Sequence, residues 1–532
     1  MMHTITVFIS FLKQRVFLDN NEKNFINFNK LKWKKSIPKN KRENNPVILV
    51  DLFPWYPLIY FWSYIVNIFS HKFNCDLKYF YFHHGESRLS KFSFFISKLV
   101  KIYKSFNVTK GIIEYDFIYS QKELKKFENN FNKIKSKHDL VKYKKNNIKI
   151  GDLIYDTYLR TIFNPTLNLK DERFKKIFLR AEKIFNEVNF FFKKNKIKCV
   201  IPSHVCYVAY GIISRIAASK NIPVIKVKAP LGSVSIQLVK IDKYCSEEPP
   251  YYSYKKIFSK FSKDEKLKNL KIGKKIIINR ISGKKDNYLK YVNKSMFYTP
   301  HIKTTLIKNC KKEKIIIFPH CFYDYPHKFR WMIFNDFYEQ VTYFLDKSLK
   351  LNQYQWFYKP HPMSLQGHID YHKKILQKYP NVVYLDKQTS HKQIIKMKPK
   401  CIITNHGTVS HEYAYFNIPA INTGDNPHIN YKFCITVKTK KKLDFIMNNL
   451  DKFLKDFKID RKEIYEFLFM QFSYYQNKNN ENKLIKDSYF ASSKKKINNS
   501  SDILKYVMKK DKENSENITK YIKKCLDNNL IN

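Results

Sequence analysis

The chain has 532 residues, too many for one hydrophobic core, so we expect two or more domains. Hydrophobic residues make up 44% and aromatic residues 16% of it, which excludes a wholly disordered protein. The formal net charge of +55 suggests nucleic-acid binding, but only ten of the 100 basic residues are arginine, the residue best suited to bidentate phosphate recognition. We therefore expect no specific nucleic-acid partner, only attraction to anionic surfaces such as the cytoplasmic face of a membrane.

The nine cysteines include no Cys-x-x-Cys pair, which indicates a reducing compartment and argues against a disulfide framework or a structural zinc site. No signal peptide is predicted, because the apolar stretch at 5–12 lacks a basic start and a small-residue cleavage site. Residues 52–70 carry no charge, but they contain two prolines and barely reach the ~20 residues that a membrane span needs. We predict a buried strand and helix there, in a cytoplasmic protein, and leave peripheral contact with the membrane open.

The N-terminal part alternates apolar strands and amphipathic helices, which predicts a parallel, doubly wound sheet. Residues 1–45 are polar and basic with no sustained period, so we interpret them as an extension of a first Rossmann-like domain at 46–303. We predict irregular structure over 231–300, with exposed basic groups at 279–286. The predicted strands of this domain are 46–51, 77–82, 198–204 and 223–227, and the predicted helices are 55–69, 91–104, 120–137, 151–160, 171–194 and 207–219.

A second series of strands and helices begins at residue 314 and predicts a second Rossmann-like domain at 304–457. The Lys/Asn-rich residues 458–532 are predicted to form a helical C-terminal region. The predicted fold class is therefore α/β with two Rossmann-like domains facing a cleft. The predicted strands of the second domain are 314–319, 354–358, 382–385, 401–404 and 419–422, and its helices are 331–349, 367–379, 390–396, 408–416 and 440–457.

Polar clusters follow the strands of the second domain. Because parallel strands end on one edge of a sheet, we expect these clusters to converge on one binding site. They comprise His320 and Asp324, then Lys359 and His361, then His406 and Gly407, then Asn426 and His428.

Gly407 lies between a predicted strand and a predicted helix in a chain that has only ten glycines. Free backbone N–H groups at such a helix start can bind an anion, and the hydroxyls of Thr408 and Ser410 can add hydrogen bonds. Glu412 is four residues after Thr408, so it is not needed as a capping-box partner. We predict that it accepts hydrogen bonds from ribose or sugar hydroxyls; the alternative is a solvated first-turn acid.

His361 lies between two prolines directly after a strand, which fixes its backbone. Together with Lys359 it can hold a diphosphate or a leaving phosphate; a turn histidine is the alternative. The chain lacks His-Glu-x-x-His and Asp-x-Asp, so we expect no metal ion and no cofactor. It also lacks the P-loop and Gly-x-Gly-x-x-Gly patterns, which argues against a nucleotidase and a dinucleotide oxidoreductase.

Lys-Pro-His-Pro at 359–362 and Asn-His-Gly-Thr-Val-Ser-His-Glu at 405–412 resemble motifs of the bacterial capsule and surface-polysaccharide glycosyltransferases. Those are metal-independent enzymes of the two-Rossmann-domain (GT-B) type, and the His-Pro element is similar to that of capsule transferases and sialyltransferases using CMP-activated sugars. Segments 150–160, 203–215 and 320–324 also resemble the family, and the resemblance spans roughly 46–455.

The resemblance implies a nucleotide-sugar donor in the second domain and an acceptor glycan, free or lipid-linked, in the first. It implies that Lys359, His361, Thr408 and Ser410 bind phosphate and that Glu412 binds the nucleoside or sugar. His320 is expected at the donor phosphate or lining the cleft. Asp324, His406, Asn426, His428 and Arg215 are further expected cleft residues.

The resemblance supplies no general base, which must lie on the acceptor side within reach of the attacking hydroxyl. We predict Asp156 first and His204 second. If 151–160 is a helix, Asp156 shares a polar face with Asp152 and Arg160, although a solvated Asp–Arg ladder explains that face equally well. Three alternatives stay open: a CDP-polyol phosphotransferase, a nucleotide-sugar epimerase of the same fold, and a basic nucleic-acid-binding protein.

Overall fold

The computed structural model describes residues 17–34, 45–83, 94–228, 235–241, 247–283, 296–297, 311–364, 366–475 and 501–527. The chain divides into two compact units. Unit 1 comprises Met1–Thr161, Leu169–Glu248 and Asn479–Asn532, and unit 2 comprises Ile162–Asn168 and Pro249–Lys478. The division after Glu248 comes earlier than the predicted boundary at 303/304. The described part of the predicted C-terminal region beyond residue 500 belongs to unit 1.

Unit 1 is built on a four-stranded parallel sheet in the order β3–β2–β1–β6, with helices packed against it. Its helices are α1 (Asn20–Trp33), α2 (Tyr56–Phe73), α3 (Phe94–Lys104), α4 (Gln121–Phe131), α5 (Lys137–Lys142), α6 (Gly151–Ile162), α7 (Glu172–Lys194) and α8 (Ile212–Ser219), with α18 (Asp502–Asp527) from the end of the chain. Its strands are β1 (Val47–Asp51), β2 (Asp76–Tyr81), β3 (Thr109–Ile113), β4 (Lys144–Lys145), β5 (Ile148–Lys149), β6 (Ile197–Ile201), β7 (Ile225–Lys228) and β8 (Ser235–Leu238).

Strand β1 lies between β2 and β6 and is buried along its whole length. Its sequence is therefore a continuous apolar run rather than an alternating one, as expected for a parallel strand covered on both faces. The run ends at Asp51, which is only 2% exposed. A buried carboxyl group thus stands at the carboxyl edge of this sheet.

Helix α1 forms where the sequence analysis predicted an extension without regular structure. Asp19 and Glu22 form a capping box at its start, and Phe25 is fully buried. Helices α1 and α18 both pack in the core that contains α2. Asp511 of α18 accepts hydrogen bonds from the hydroxyls of two α2 tyrosines and forms an ion pair with Lys32 of α1. Both ends of the described chain therefore complete the core of unit 1.

Unit 2 is built on a six-stranded parallel sheet in the order β11–β10–β9–β12–β13–β14. Alternate strand residues enter two separate apolar clusters, one on each face of the sheet. Its helices are α9 (Tyr254–Ser259), α10 (Lys263–Ile281), α11 (Phe337–Lys350), α12 (Gln366–Leu376), α13 (His391–Lys396), α14 (Val409–Ala414), α15 (Lys440–Asn448), α16 (Leu450–Lys455) and α17 (Arg461–Phe469). Its strands are β9 (Lys314–Ile317), β10 (Gln355–Tyr358), β11 (Val382–Tyr384), β12 (Cys401–Thr404), β13 (Ala420–Asn422) and β14 (Ile435–Thr436). The two parallel sheets with their helices confirm the predicted α/β class.

Helix α10 is the main element that the sequence analysis missed, because 231–300 was predicted to be irregular. It has 19 residues, and Ser262 and Glu265 form a capping box at its start. It packs against α17, and Gly273 lies at the crossing, where an added Cβ would be 1.9 Å from the carbonyl oxygen of Tyr465. This close approach requires glycine. It also fixes α10 so that Arg280, near its end, is buried rather than exposed.

In the part of the chain that the structure describes, no helix is long and apolar enough to cross a membrane. Helix α2, which contains most of the uncharged stretch 52–70, is a core helix of unit 1, as the sequence analysis favoured.

We expect Asp511→Ala to lower the free energy of unfolding of unit 1 by about 2–4 kcal/mol, because Lys32 and two tyrosine hydroxyls lose their shared acceptor. The matched control is Asp527→Ala on the same helix, whose ion pair with Lys72 is solvent-exposed and 3.4 Å long, and which should cost less than about 0.5 kcal/mol. Urea-induced unfolding followed by circular dichroism measures both. Equal effects of the two substitutions would contradict the role given to Asp511.

Candidate functional site

The carboxyl edge of the unit 2 sheet carries the polar clusters that the sequence predicted. Strands β9, β10 and β12 are neighbours in register, with Ile317 opposite both Tyr358 and Ile403. The residues that follow these strands therefore leave the sheet side by side. The rings of His320, after β9, and His406, after β12, have centroids only 3.7 Å apart. His320 and His406, two of the residues predicted at this edge, are thus in contact.

Lys359 is a buried cation at the end of β10, with 1% of its surface exposed. Its Nζ donates a hydrogen bond to the carbonyl oxygen of Lys387 at 3.1 Å. Burial lowers its pKa to about 8, and the charges of Asp386 and Glu412 act in the opposite direction. The ammonium group therefore stays mostly protonated at neutral pH, and its field is little screened by water.

His361, two residues further on, remains exposed. The backbone N–H of Met363 donates to its Nδ1 at 3.2 Å, so in the neutral ring the proton is on Nε2. Loss of solvent around the ring and the charge of Lys359 lower the pKa of His361, while Asp324, which is exposed, acts in the opposite direction. The pair thus combines a buried positive charge with a neutral N–H donor that solvent can reach.

His320 and His406 belong to an aromatic stack. His406 also contacts Phe329 at 3.7 Å between ring centroids, and His320 contacts Phe337 at 4.9 Å. Burial, with smaller effects of His361 and Lys328, lowers the pKa of His320 to about 3. Burial likewise holds the pKa of His406 well below its ordinary value. These two rings are neutral at physiological pH, so they offer stacking and N–H groups rather than charge to a phosphate.

The predicted anion site at residues 407–410 is only partly supported by the geometry. Helix α14 begins at Val409 and has six residues, and Thr408, which is exposed, makes no side-chain cap hydrogen bond. Ser410 is fully buried and donates to Asn422 Oδ1 at 2.9 Å, which corrects its predicted role as a phosphate ligand. The Ser410 hydroxyl instead ties α14 to β13. A Cβ added at Gly407 would lie 2.9 Å from Thr404 Oγ1, so the Thr404 side chain would have to shift.

Glu412 is 4% exposed, which excludes the alternative of a solvated first-turn acid. Its Oε1 lies 3.4 Å from Nη1 of Arg280, and the same Arg280 nitrogen is 2.7 Å from Nε2 of His411. Arg280 is 1% exposed, and its guanidinium lies 4.8 Å from the centre of the Phe472 ring. Arg280 is therefore not in an exposed turn, as predicted from the sequence; the capping box at the start of α10 is the sequence signal for the helix that buries it.

Asn426 and His428 are buried and hold the loop after β13, which corrects their prediction as cleft residues. Asn426 Oδ1 accepts from the backbone N–H of His428 at 2.9 Å. Arg280 donates to His411 Nε2, so His411 carries its proton on Nδ1 and donates to His428 Nε2 at 3.0 Å. Burial lowers the pKa of His428 to about 3, and burial together with Arg280 keeps His411 neutral as well. The two rings thus form a neutral hydrogen-bonded chain behind α14.

In unit 1, Arg215 donates to both carboxylate oxygens of Asp152 at 2.7 Å and to the carbonyl oxygen of Lys149 at 2.6 Å. This buried pair corrects both the prediction of Arg215 as a cleft residue and the prediction that Asp152 shares a polar ladder with Arg160, which is exposed. Asp156 is only 3% exposed on α6. A carboxylate that deep is less accessible to an acceptor hydroxyl than the sequence analysis expected.

His204 follows β6 and is exposed. Its Nδ1 is 3.0 Å from Ser203 Oγ, and Ser203 donates to Asp51 through both its backbone N–H, at 3.1 Å, and its hydroxyl. Burial raises the pKa of Asp51 to about 7, although both hydrogen bonds from Ser203 oppose the shift. Partial loss of solvent around its ring also lowers the pKa of His204 to about 4. The sequence predicts a role for His204 but not for Asp51, whose only local feature is that it ends an apolar strand.

Among the described residues, no group of three or more His, Cys, Asp or Glu side chains is arranged to hold a metal ion.

No family model and no curated protein matches this chain. Similar solved structures include KpsC of Thermosulfurimonas dismutans, as a beta Kdo 2,4 transferase with 10% identity and a TM-score of 0.32, covering 52% of this chain and 79% of that chain. The beta Kdo 2,7 transferase of the same KpsC has 11% identity and a TM-score of 0.30, with 53% and 80% covered. UDP-GlcNAc 2-epimerase from Neisseria meningitidis, bound to UDP-GlcNAc, has 11% identity and a TM-score of 0.25, with 82% and 100% covered. These values are too low to assign the chain to either group of enzymes.

We expect Arg280→Met to lower the free energy of unfolding of unit 2 by about 3–5 kcal/mol, because it removes the buried guanidinium that lies 3.4 Å from the carboxyl group of Glu412. Removing Arg280 also removes one cause of the low pKa of His411, so that pKa rises, and His411 takes up a proton as the pH falls. The loss should therefore be smaller at pH 5 than at pH 8. Urea unfolding at both pH values, with the exposed Arg461→Met as control, measures this. A loss that does not change with pH would contradict the assigned coupling.

Proposed function

We propose that this chain is a glycosyltransferase that moves a sugar from a nucleotide-sugar donor to a growing capsule or other surface polysaccharide without a metal ion. The observation that carries the proposal is the pair at the end of β10, which consists of the buried ammonium of Lys359 and, two residues further on, the exposed ring of His361 with its proton on Nε2. The likeness of 359–362 and 405–412 to capsule glycosyltransferase motifs supports it.

The chemistry of sugar transfer requires a stabilised leaving group. When the bond between the anomeric carbon and the phosphate oxygen breaks, its electron pair stays on that oxygen, and negative charge builds up on the nucleotide. A buried cation and a neutral N–H donor, both positioned in advance, stabilise this charge without reorganisation. A bound phosphate would also raise the pKa of Lys359, so the protonated amine and the nucleotide favour each other. Thr408 and the N–H groups near Gly407 are proposed as additional ligands.

Unit 1 is proposed to bind the acceptor, a glycan or lipid-linked glycan. All seven cysteines among the described residues are free. This supports a reducing compartment such as the cytoplasm, where nucleotide sugars are made. The excess of lysine would favour peripheral contact with an anionic membrane surface that carries a lipid-linked acceptor.

We expect at least one of CMP, CDP, UDP and GDP to raise the melting temperature of the protein, because a ligand that binds only the native state stabilises it by RT ln(1 + [L]/Kd). Lys359→Met should abolish this increase, since the buried charge that holds the phosphate is gone. The control is Lys374→Met, which removes an exposed lysine of helix α12 in the same unit and should leave the increase in place. No stabilisation by any of the four nucleotides, with the protein folded, would contradict the proposal.

We expect His361→Ala to lower the rate of sugar transfer by about 10²–10³-fold, the usual effect of losing one donor to a developing negative charge. The melting temperature should stay within about 1 °C, because His361 is exposed and its side chain accepts one backbone hydrogen bond. His138→Ala removes an exposed histidine of unit 1 and should leave the rate unchanged.

Transfer is measured with labelled nucleotide sugars and an oligosaccharide acceptor, and the product is identified by mass spectrometry. Undiminished transfer by His361→Ala would remove His361 from the site. A product formed from the donor alone would instead indicate an epimerase, and transfer of a phosphate-linked alcohol from a CDP-alcohol would indicate the phosphotransferase.

A further inference from the structure

Three side chains form a continuous hydrogen-bonded array at the carboxyl edge of the unit 1 sheet. Asp51 is the last residue of β1, and Ser203 and His204 follow the neighbouring strand β6. Asp51 is 2% and Ser203 8% exposed, whereas His204 is exposed. The array therefore leads from a buried carboxyl group to an accessible imidazole.

The direction of the hydrogen bonds follows from the number of protons available. Asp51 Oδ2 accepts both the backbone N–H and the hydroxyl of Ser203. A serine hydroxyl has one proton, so once it is donated to Asp51 the Ser203 oxygen can only accept from His204. His204 Nδ1, at 3.0 Å, must then carry the proton. The hydroxyl of Tyr210 also contacts Ser203, whose oxygen has a second lone pair for it.

The ring of His204 is held in place by aromatic neighbours. Its centroid lies 5.4 Å from that of Phe53 and 5.3 Å from that of Tyr210. Among the described residues, Nε2 makes no hydrogen bond, and with the proton on Nδ1 it carries a lone pair. An oriented, accessible lone pair on a neutral imidazole is what a general base requires.

We propose that Asp51 is a positioning residue that, through Ser203, keeps the proton of His204 on Nδ1 so that Nε2 accepts the proton of the attacking acceptor hydroxyl. This inference rests on the proposed glycosyltransferase function and selects His204 as the base, in place of the deeper Asp156. In the step itself, the acceptor oxygen forms a bond to the anomeric carbon while the bond from that carbon to the phosphate breaks. The hydroxyl proton goes to Nε2, and the electron pair of the broken bond leaves with the nucleotide.

The charge on Asp51 decides the direction of the array. When Asp51 is protonated at Oδ2, it donates to Ser203, the serine hydroxyl then donates to Nδ1, and the imidazole proton moves to Nε2. Burial sets the pKa of Asp51 at about 7, with the aromatic hydroxyls of Tyr103, Tyr210 and Tyr81 as its ionisable neighbours. The base is therefore active above that pH and lost below it.

His204 itself stays neutral through this range. Partial loss of solvent around the ring first, and then the positive charges of Lys226 and Arg160, lower its pKa to about 4. Its own protonation therefore begins well below the pH at which Asp51 titrates. A loss of Nε2 reactivity near pH 7 would consequently report on Asp51 and not on the imidazole.

The test is the rate at which diethyl pyrocarbonate modifies His204, measured by mass spectrometry of peptides between pH 5 and pH 9 on the full chain. This reagent attacks an unprotonated, accessible imidazole nitrogen. In the wild type we expect the rate to fall about tenfold below a midpoint near pH 7, because the accessible nitrogen then carries the proton. The exposed His138 provides an internal reference for reagent decay.

Asp51→Asn should abolish this midpoint and keep the rate high down to pH 5. The backbone N–H of Ser203 requires an acceptor at the position of Oδ2, so the asparagine oxygen takes that place and still accepts the serine hydroxyl. Ser203→Ala should also abolish the midpoint, and it decides the question if Asp51→Asn does not fold. Ser70→Ala, which removes a buried hydroxyl bonded to the carbonyl oxygen of Cys75, should leave the midpoint in place. A midpoint that persists in Asp51→Asn or Ser203→Ala would overturn the proposal.

Because the modification needs no substrate, it separates this inference from the proposed function. An intact midpoint that depends on Asp51, in a protein that transfers no sugar, would support the array and refute the glycosyltransferase. In an active enzyme, the acid limb of kcat/KM should disappear in Asp51→Asn, while His361→Ala should lower the rate without moving that limb. An acid limb unchanged by Asp51→Asn would refute the array alone.

Discussion

The polar edge of unit 2 depends on the burial of Arg280 beside His411 and Glu412. Glu412 of α14 lies 3.4 Å from that guanidinium, and the ring of His411 accepts a hydrogen bond from the same nitrogen. That guanidinium is brought there by α10, which can approach α17 closely because residue 273 is glycine. One helix crossing thus sets the charge balance of the site.

At the same edge of the unit 2 sheet, most of the basic side chains are uncharged. Burial makes the rings of His320, His406 and His428 neutral, so they support the site by stacking and hydrogen bonding. Lys359 remains charged because Asp386 and Glu412 oppose the cost of its burial. A phosphate approaching this edge would meet a localised cation and an N–H donor, and not a diffuse basic surface of the kind that a net charge of +55 suggests.

The sequence was sufficient for the features that depend on local pattern. Buried parallel strands such as β12 are continuous apolar runs. The polar residues that come directly after such strands, including Lys359 and His361, converge because the strands end on one edge of the sheet. The sequence was insufficient where contacts between distant residues determine the role of a side chain. Ser410 has the pattern of a phosphate ligand, but its hydroxyl donates to Asn422. Asp51 accepts two hydrogen bonds from Ser203, which lies 152 residues later in the chain, so its role could not be read from local pattern. Helices α1 and α10 lack a clear apolar stripe and were missed, although each begins with a capping box.

The topology of unit 1 has a consequence for synthesis. Strand β1 and helix α2 leave the ribosome early, but α18, whose Asp511 receives the α2 tyrosines, is made only after the whole of unit 2. Until then the tyrosine hydroxyls of α2 have no contact with α18. Unit 2, in contrast, is nearly contiguous in sequence and can fold as it emerges. The half of the protein that is translated first is thus the half that finishes folding last, and a growing chain would need protection of α2 from aggregation throughout that delay.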